Sequence, residues 1–307
     1  MIYSFIQRRF GLALFSALSL ALVIAHFPAL ALDDPSPQIV RIPAQAAGVE
    51  WQVHTQVFKP QGEGPFPVII FSHGRAPNEE DRKALEYPVL RGHVSYWLRK
   101  GFAVVAPIRP GYGATGGADI ENSGVRIGNN GECGGRPAFE RAIGNSADVV
   151  SAVLTWTRQQ AWVSNKKIVL VGQSVGGLTS VAVAARKPAG VVGYINFAGG
   201  AGGNPTKRPG KSCFPEALTE LYRTYGGTTK IPNLWLYAPN DQFWGADTPK
   251  LWHAAFAKAG GTGRFIQTAP VPDEDGHKLL AKGGRLWSDH VNPFVDSLGF
   301  KGQAARR

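Results

Sequence analysis

The stretch VLVGQSVGGLTS, residues 169–180, decides how the rest of the chain is read. An apolar run ends at Gly172, a serine stands two residues on, and a run of small residues with helical character follows. Gly172-Gln173-Ser174-Val175-Gly176 fits G-x-S-x-G, the signature of a serine placed on a sharp strand-to-helix turn. With 38 Gly in 307 residues, the same five positions would also serve as one more glycine-rich connection. The remaining sequence must therefore supply the serine's partners, in a workable order and at workable places.

Working outward, short and wholly apolar runs recur at 67–72, 102–107, 167–172, 190–198 and 233–239, with 264–270 as a last one. Runs of this kind read as strands buried on both faces, which belong to a parallel sheet covered by helices. Gly48–Phe58 differs. Val49, Trp51, Val53 and Val57 alternate with Glu50, Gln52, His54 and Gln56, the pattern of a half-buried antiparallel strand with His54 on its wet face. Helical spacing appears between the runs: Leu90, Val94 and Trp97 before Gly101, then Ile143, Ala147, Val150 and Leu154 within 138–160. Segments 175–185, 248–259 and 284–298 complete the set. Strand and helix in alternation predict an α/β fold, a mostly parallel, doubly wound sheet of about eight strands with helices on both faces. One domain over 32–307 holds it.

Two stretches break the alternation. Residues 109–137 form a long glycine-rich loop, and residues 199–230 form a lid-like insertion with one helix near 215–224. Irregular segments of this length in a compact domain are commonly binding loops or lids. Each carries one of the chain's 2 cysteines, Cys133 and Cys213.

Residues 1–31 read as a signal peptide: Arg8 and Arg9, an apolar run from Gly11 to about Ala25, and a small-x-small site at Ala29-Leu30-Ala31. A retained anchor is the alternative, but the run is short and His26 and Pro28 interrupt its end. The expected location is periplasmic or secreted, with no stable membrane insertion after cleavage. An oxidising compartment favours pairing Cys133 with Cys213, because two cysteines alone make a poor metal site. The 33 Lys+Arg against 22 Asp+Glu give a net charge of +11. That charge is scattered, without a basic stripe interleaved with aromatics, so no nucleic-acid partner is expected. Nothing in the sequence speaks to oligomeric state.

A serine hydroxyl becomes a nucleophile when a base takes its proton, and the base needs a carboxylate to hold its tautomer. On an open α/β sheet these groups collect at the C-terminal ends of strands. Asp241 follows the 233–239 strand and is the candidate acid; Asp247, further out, stands where it would cap the next helix. His277 lies seven residues beyond the 264–270 run and is the candidate base. His290 competes, but sits among Trp287, Val291 and Phe294 as a packed helix would place it, and His253 lies on the helix after Asp241. Two backbone donors complete the set. They are the N–H of Val175, next to the serine, and that of Arg75, in the SHGRAP loop after the 67–72 strand. The Arg75 side chain is also placed to meet a substrate carboxylate.

Ser174, Asp241 and His277 in that order, with His73-Gly74 after the earlier strand, resemble the α/β-hydrolase superfamily. The nearest flavour is its dienelactone-hydrolase-like and secreted serine esterase or acyl-peptidase-like members. The resemblance runs from about Val49 to Leu298. It implies an acyl-enzyme hydrolase acting on a small-molecule ester with no metal and no organic cofactor. Dienelactone hydrolases use a cysteine where Ser174 stands, so the lactone substrate does not carry over. Tyr112, in RPGYGATGG, corresponds to a loop that lines the pocket in many members. Phe243 and Trp244 flank the acid and suggest an apolar substrate group, unless they pack under the 199–230 insertion. Gly111–Gly116 also matches G-x-G-x-x-G, but a dinucleotide site needs a helix opening after it, and twenty turn-like residues follow instead. Three alternatives stay open beside ester cleavage: an acyl-peptidase or amidase, a thioesterase, and a non-catalytic binding protein on the same fold. Peptidases of the first kind carry a large gating domain, and only about 50 residues precede the first expected strand, which favours esters.

Overall fold

The computed structural model describes residues 36–300, so the signal-peptide reading of 1–31 lies outside the described residues. Strands β1 (Gln38–Ala46) and β2 (Val49–Phe58) form an antiparallel hairpin whose two turn residues, Ala47 and Gly48, both have positive φ. Positive φ at both positions is what a two-residue hairpin turn demands. Strands β3 (Phe66–Ser72) and β4 (Ala103–Pro107) follow. A separate ribbon, β5 (Arg126–Ile127) with β6 (Cys133–Gly134), comes next, then β7 (Val163–Gln173), β8 (Val191–Phe197), β9 (Asn233–Tyr237) and β10 (Arg264–Gln267). The main sheet has eight strands in the order β1-β2-β4-β3-β7-β8-β9-β10, parallel from β4 to β10. This is the α/β-hydrolase fold, with helices on both faces as the alternation of runs predicts.

The helices are α1 (Glu79–Lys83), α2 (Arg91–Arg99), α3 (Phe139–Arg158), α4 (Val175–Ala185), α5 (Pro215–Thr228), α6 (Thr248–Lys258), α7 (Leu279–Lys282) and α8 (Gly284–Val295). Side chains of a strand alternate between its two faces. In β9, Trp235 and Tyr237 pack with residues of α3, α4, α5 and α6, while Leu234 and Leu236 pack with residues of α2, α7 and α8. In β7, Leu170 and Val171 divide between the same two cores. A strand that feeds two cores has no polar face, hence the unbroken apolar runs.

The departures from expectation are local. No strand is read before Gly48, yet β1 is nine residues long. Its Val40, Ile42, Ala44 and Ala46 turn inward, but Pro43 interrupts the pattern and argues against a strand in the interior of a sheet. At this edge a proline is tolerated. Val49, assigned inward, is exposed beside the hairpin turn; Gln56, assigned to the wet face, is buried and donates from Nε2 to the Glu86 carbonyl at 2.7 Å. Leu90 stands exposed just before α2 rather than on its inner face.

Cys133 and Cys213 are joined in a disulfide that spans 80 residues of sequence. It fastens the 109–137 loop to the 199–230 segment, and the Arg208 guanidinium adds a hydrogen bond to the Gly131 carbonyl at 3.2 Å. The 199–230 segment opens with Gly200, Gly202 and Gly203, which lie against Trp244, Trp252 and Phe139, and it ends in α5, which packs on α6. Among the described residues no helix is long and apolar enough to cross a membrane.

Candidate active site

Ser174 sits between β7 and α4 with φ 57° and ψ −126°, a conformation that non-glycine residues adopt only under strain. The turn is held because its surroundings fix it: the Ser174 N–H donates to the Phe197 carbonyl of β8 at 2.9 Å, and its own carbonyl accepts from Leu178 and Gly200. The two flanking glycines are steric necessities. A Cβ on Gly172 would run into the Gly176 carbonyl, and one on Gly176 into the carbonyls of Ser72 and His73. The G-x-S-x-G reading is thus met in space, with β3 pressed against the turn. Gly74 follows β3 and lies beside the serine, where an added Cβ would stand 3.4 Å from Ser174 Cβ. Among the described residues, no turn, loop or cap hydrogen bond uses the N–H of Arg75 or of Val175.

His277 Nδ1 hydrogen-bonds Asp241 Oδ2 at 3.0 Å, and both side chains are nearly or wholly buried. A carboxylate can only accept, so Nδ1 is the nitrogen that carries a proton, and in the neutral ring Nε2 is the acceptor. The other carboxylate oxygen accepts the N–H groups of Phe243 at 2.7 Å and Trp244 at 3.1 Å, so Asp241 is fixed by its own turn. The His277 ring lies flat on Phe243, centroids 4.0 Å apart, and edge-on to Trp244 at 5.4 Å. Trp244 is itself buried, donates from Nε1 to the Ala198 carbonyl at 2.8 Å, and packs under Gly200 and Gly203. Both aromatics therefore hold the imidazole and underlie the insertion. Gln173, the residue before the serine, donates from Nε2 to the His277 carbonyl at 3.0 Å, which ties the histidine loop to the elbow.

The competitors lie elsewhere. His253 packs on Trp235 at 5.1 Å, His290 is half-buried on α8, and Asp247 pairs with Lys250 at the start of α6. After Gly111–Gly116 no α-helix opens, and the next element is the short β5–β6 ribbon.

Several residues not singled out in the sequence organise this site. Asp275 Oδ1 accepts from the N–H of His277 and of Gln242, each at 2.8 Å, bridging the histidine and aspartate loops. Asn240 ties the same loops by donating from Nδ2 to the carbonyls of Val271 and Glu274 and accepting the Val271 N–H at Oδ1. Gly276 makes the approach possible, since a Cβ there would stand 2.5 Å from the Asp241 nitrogen.

Under the His73-Gly74 loop lies a wholly buried ion pair between Arg109 and Glu121. Arg109 Nη2 also donates to the His73 carbonyl at 2.8 Å, and Glu121 accepts from the hydroxyls of Tyr112 at 3.0 Å and Ser146 at 2.9 Å. Burial opposes the Glu121 charge, but the Arg109 guanidinium, His73 and Ser146 outweigh it and hold its pKa down at about 2. Burial first and Arg109 second lower His73 to about 3, so this ring is neutral. It donates from Nδ1 to the Gly74 carbonyl at 2.7 Å and accepts the Arg109 N–H at Nε2, 3.2 Å away. Tyr112 is buried in this network and also lines a cavity beside Gly74. The Arg75 guanidinium pairs with Asp119, so it is not free for a substrate carboxylate. Only Arg109, directly after an apolar strand, could have drawn attention in the sequence; its partner Glu121 is twelve residues away in a loop without periodicity.

An eight-stranded, mostly parallel sheet with a strained serine at the end of β7 defines an α/β hydrolase. The family model described as "Alpha/beta hydrolase family" matches residues 69–302, and the chain belongs to that family. Solved structures share the fold at low identity. An esterase of Pyrococcus furiosus aligns with a TM-score of 0.57 at 11% identity, over 86% of this chain and 92% of that one. A putative dienelactone hydrolase of Klebsiella pneumoniae gives 0.54 at 15%, over 84% and 98%. An acylaminoacyl peptidase of Pyrococcus horikoshii gives 0.57 at 14%, over 88% of this chain and only 42% of the peptidase. No curated protein matches the sequence.

Proposed function

We propose that this chain is an exported serine hydrolase that cleaves carboxylic esters through Ser174, His277 and Asp241. The observation that carries the reading is the buried His277–Asp241 hydrogen bond of 3.0 Å, tied through Gln173 to a serine held at positive φ. His277 Nε2 takes the Ser174 proton as Oγ attacks the ester carbonyl carbon. The Arg75 and Val175 N–H groups receive the oxyanion. His277 then hands its proton to the departing alkoxide, leaving an acyl-serine and a free alcohol. Water repeats the sequence against the acyl-enzyme, with His277 again as base, and releases the acid. Asp241 holds the ring's tautomer and stabilises the imidazolium at each step. Phe243 and Trp244 keep the ring in place, and the disulfide-pinned segment 199–230 frames the site as its lid. Esters are preferred to amides because the esterase and the dienelactone hydrolase share the fold over nearly their whole length; this supports the reading without naming a substrate.

The test is Ser174→Ala assayed against p-nitrophenyl butyrate, with a dipeptide anilide and an acyl thioester alongside. Turnover by the variant is expected to fall on the order of 10⁶-fold. Equal rates in parent and variant would leave a binding protein on a hydrolase fold. Faster cleavage of the anilide or the thioester would reassign the substrate class.

A further inference from the structure

Beside the elbow the structure holds a cavity of about 230 Å³. Gly74, just after β3 and packed beside Ser174, and Gln173, the residue before that serine, form part of its wall, so the cavity lies next to the serine turn. The rest of the lining is chiefly apolar, with Phe71, Leu85 and Leu280 prominent. Tyr87 and Leu90 stand at its edge 49% and 46% exposed, two of the five large hydrophobic side chains left exposed among the described residues. Apolar groups gathered at a concavity, rather than scattered singly, mark a binding surface. The only charged side chain in the lining is Asp81; Arg75 and Arg82, close by, both point to Asp119. His73 is neutral and committed to Gly74 and Arg109.

We propose that this cavity takes the acyl chain of the ester, and that the chain is uncharged and short. The proposal rests on the ester-hydrolase reading for its reaction and on the cavity for its substrate class. The side is set by His277. Its ring turns to Phe243 and Trp244, and none of the three lines the cavity, whereas Leu280 and Ala281 of α7 do. The alcohol takes its proton from that ring and leaves on the ring's side, so the group opposite is the acyl chain. The charge is set by Asp81, the only charged side chain of the lining, which disfavours a carboxylate; the cations around it are engaged, Arg75 and Arg82 with Asp119 and Arg91 with the Tyr87 ring and hydroxyl. The length is set by volume: at about 30 Å³ per water-sized group, the cavity holds about eight such groups.

Two measurements test this. The first is kcat/KM over p-nitrophenyl esters from acetate to dodecanoate, with the anionic hemisuccinate included. The expected profile rises roughly fourfold per methylene, peaks between butyrate and octanoate, and shows the hemisuccinate at least tenfold below butyrate. Ala76→Trp, at a half-buried wall position, lowers octanoate at least tenfold more than acetate. The second measurement is calorimetric binding of octanamide, a neutral acyl analogue that needs no turnover; it binds the parent and is lost in Ala76→Trp, with circular dichroism confirming the fold. A flat length profile, equal losses on all esters in Ala76→Trp, or octanamide binding unchanged by that substitution would overturn the proposal. Octanamide bound to the parent and lost in Ala76→Trp, with no ester cleaved, would keep the cavity and remove the hydrolase reading instead.

Discussion

Glu121 is charged inside the protein because Arg109 is there, and Arg109 is tolerable there because it serves three acceptors: Glu121 and the carbonyls of His73 and Gly74. Removing one partner of a buried pair strands the other, at a cost of about 3–5 kcal/mol. Glu121→Gln is expected to lose about that much in urea unfolding, and to lower kcat because the His73-Gly74 backbone loses its anchor. His93 poses the opposite case. Its ring lies between Trp97 and Trp287 with both nitrogens buried and unpartnered, and burial lowers its pKa from 6.5 to about 3. Below pH 6.5 the unfolded chain takes up a proton that the folded chain refuses, so stability falls as pH drops toward 3. His73 adds to the same trend. His93→Phe is therefore expected to stabilise by about 1–3 kcal/mol, the penalty of an unsatisfied buried polar group, and to flatten the acid limb of a stability–pH curve. Neither Glu121 nor the enclosure of His93 is legible in the sequence. Both depend on neighbours brought from distant segments, whereas Ser174 announces itself through glycines two positions either side.

At the scale of elements, the two irregular segments are the least legible in sequence and the most tightly stitched in space. The 109–137 loop contributes Arg109, Tyr112 and Glu121 beneath the His73-Gly74 loop, and the 199–230 segment covers Trp244 behind His277. The disulfide joins them across 80 residues. Closing a loop of that length stabilises by about 4–5 kcal/mol in the chain-entropy model. Replacing both cysteines by serine is expected to lower Tm by about 10–15 °C, read by differential scanning calorimetry in parallel with ester turnover. The helices, by contrast, are close to what their spacing predicts: α4 spans Val175–Ala185 and α3 spans Phe139–Arg158. In α3 the apolar positions recur every three or four residues, and that period survives without tertiary knowledge; α4, buried on every side, reads instead as a run of small residues after the serine. Loops have no period, and their contacts follow from glycine geometry and chance proximity of donors.

For the whole molecule, the order of apolar runs was enough to give the class of fold, because each parallel strand must feed two cores and so reads as a run. It was not enough to give β1, where Pro43 and two alanines mask an alternating strand. That hidden strand matters for what the molecule does in company. A sheet with a free margin is a template on which another chain can lengthen it, residue by residue. One margin here is β10, only four residues long; the other is β1, with Arg41 and Pro43 facing out. A proline brings no N–H to such a margin, and a charged neighbour is costly to cover. The same residue that obscures the strand from a reader of the sequence interrupts the row of donors that a stray strand would need, and so discourages copies of the protein from zipping together edge to edge.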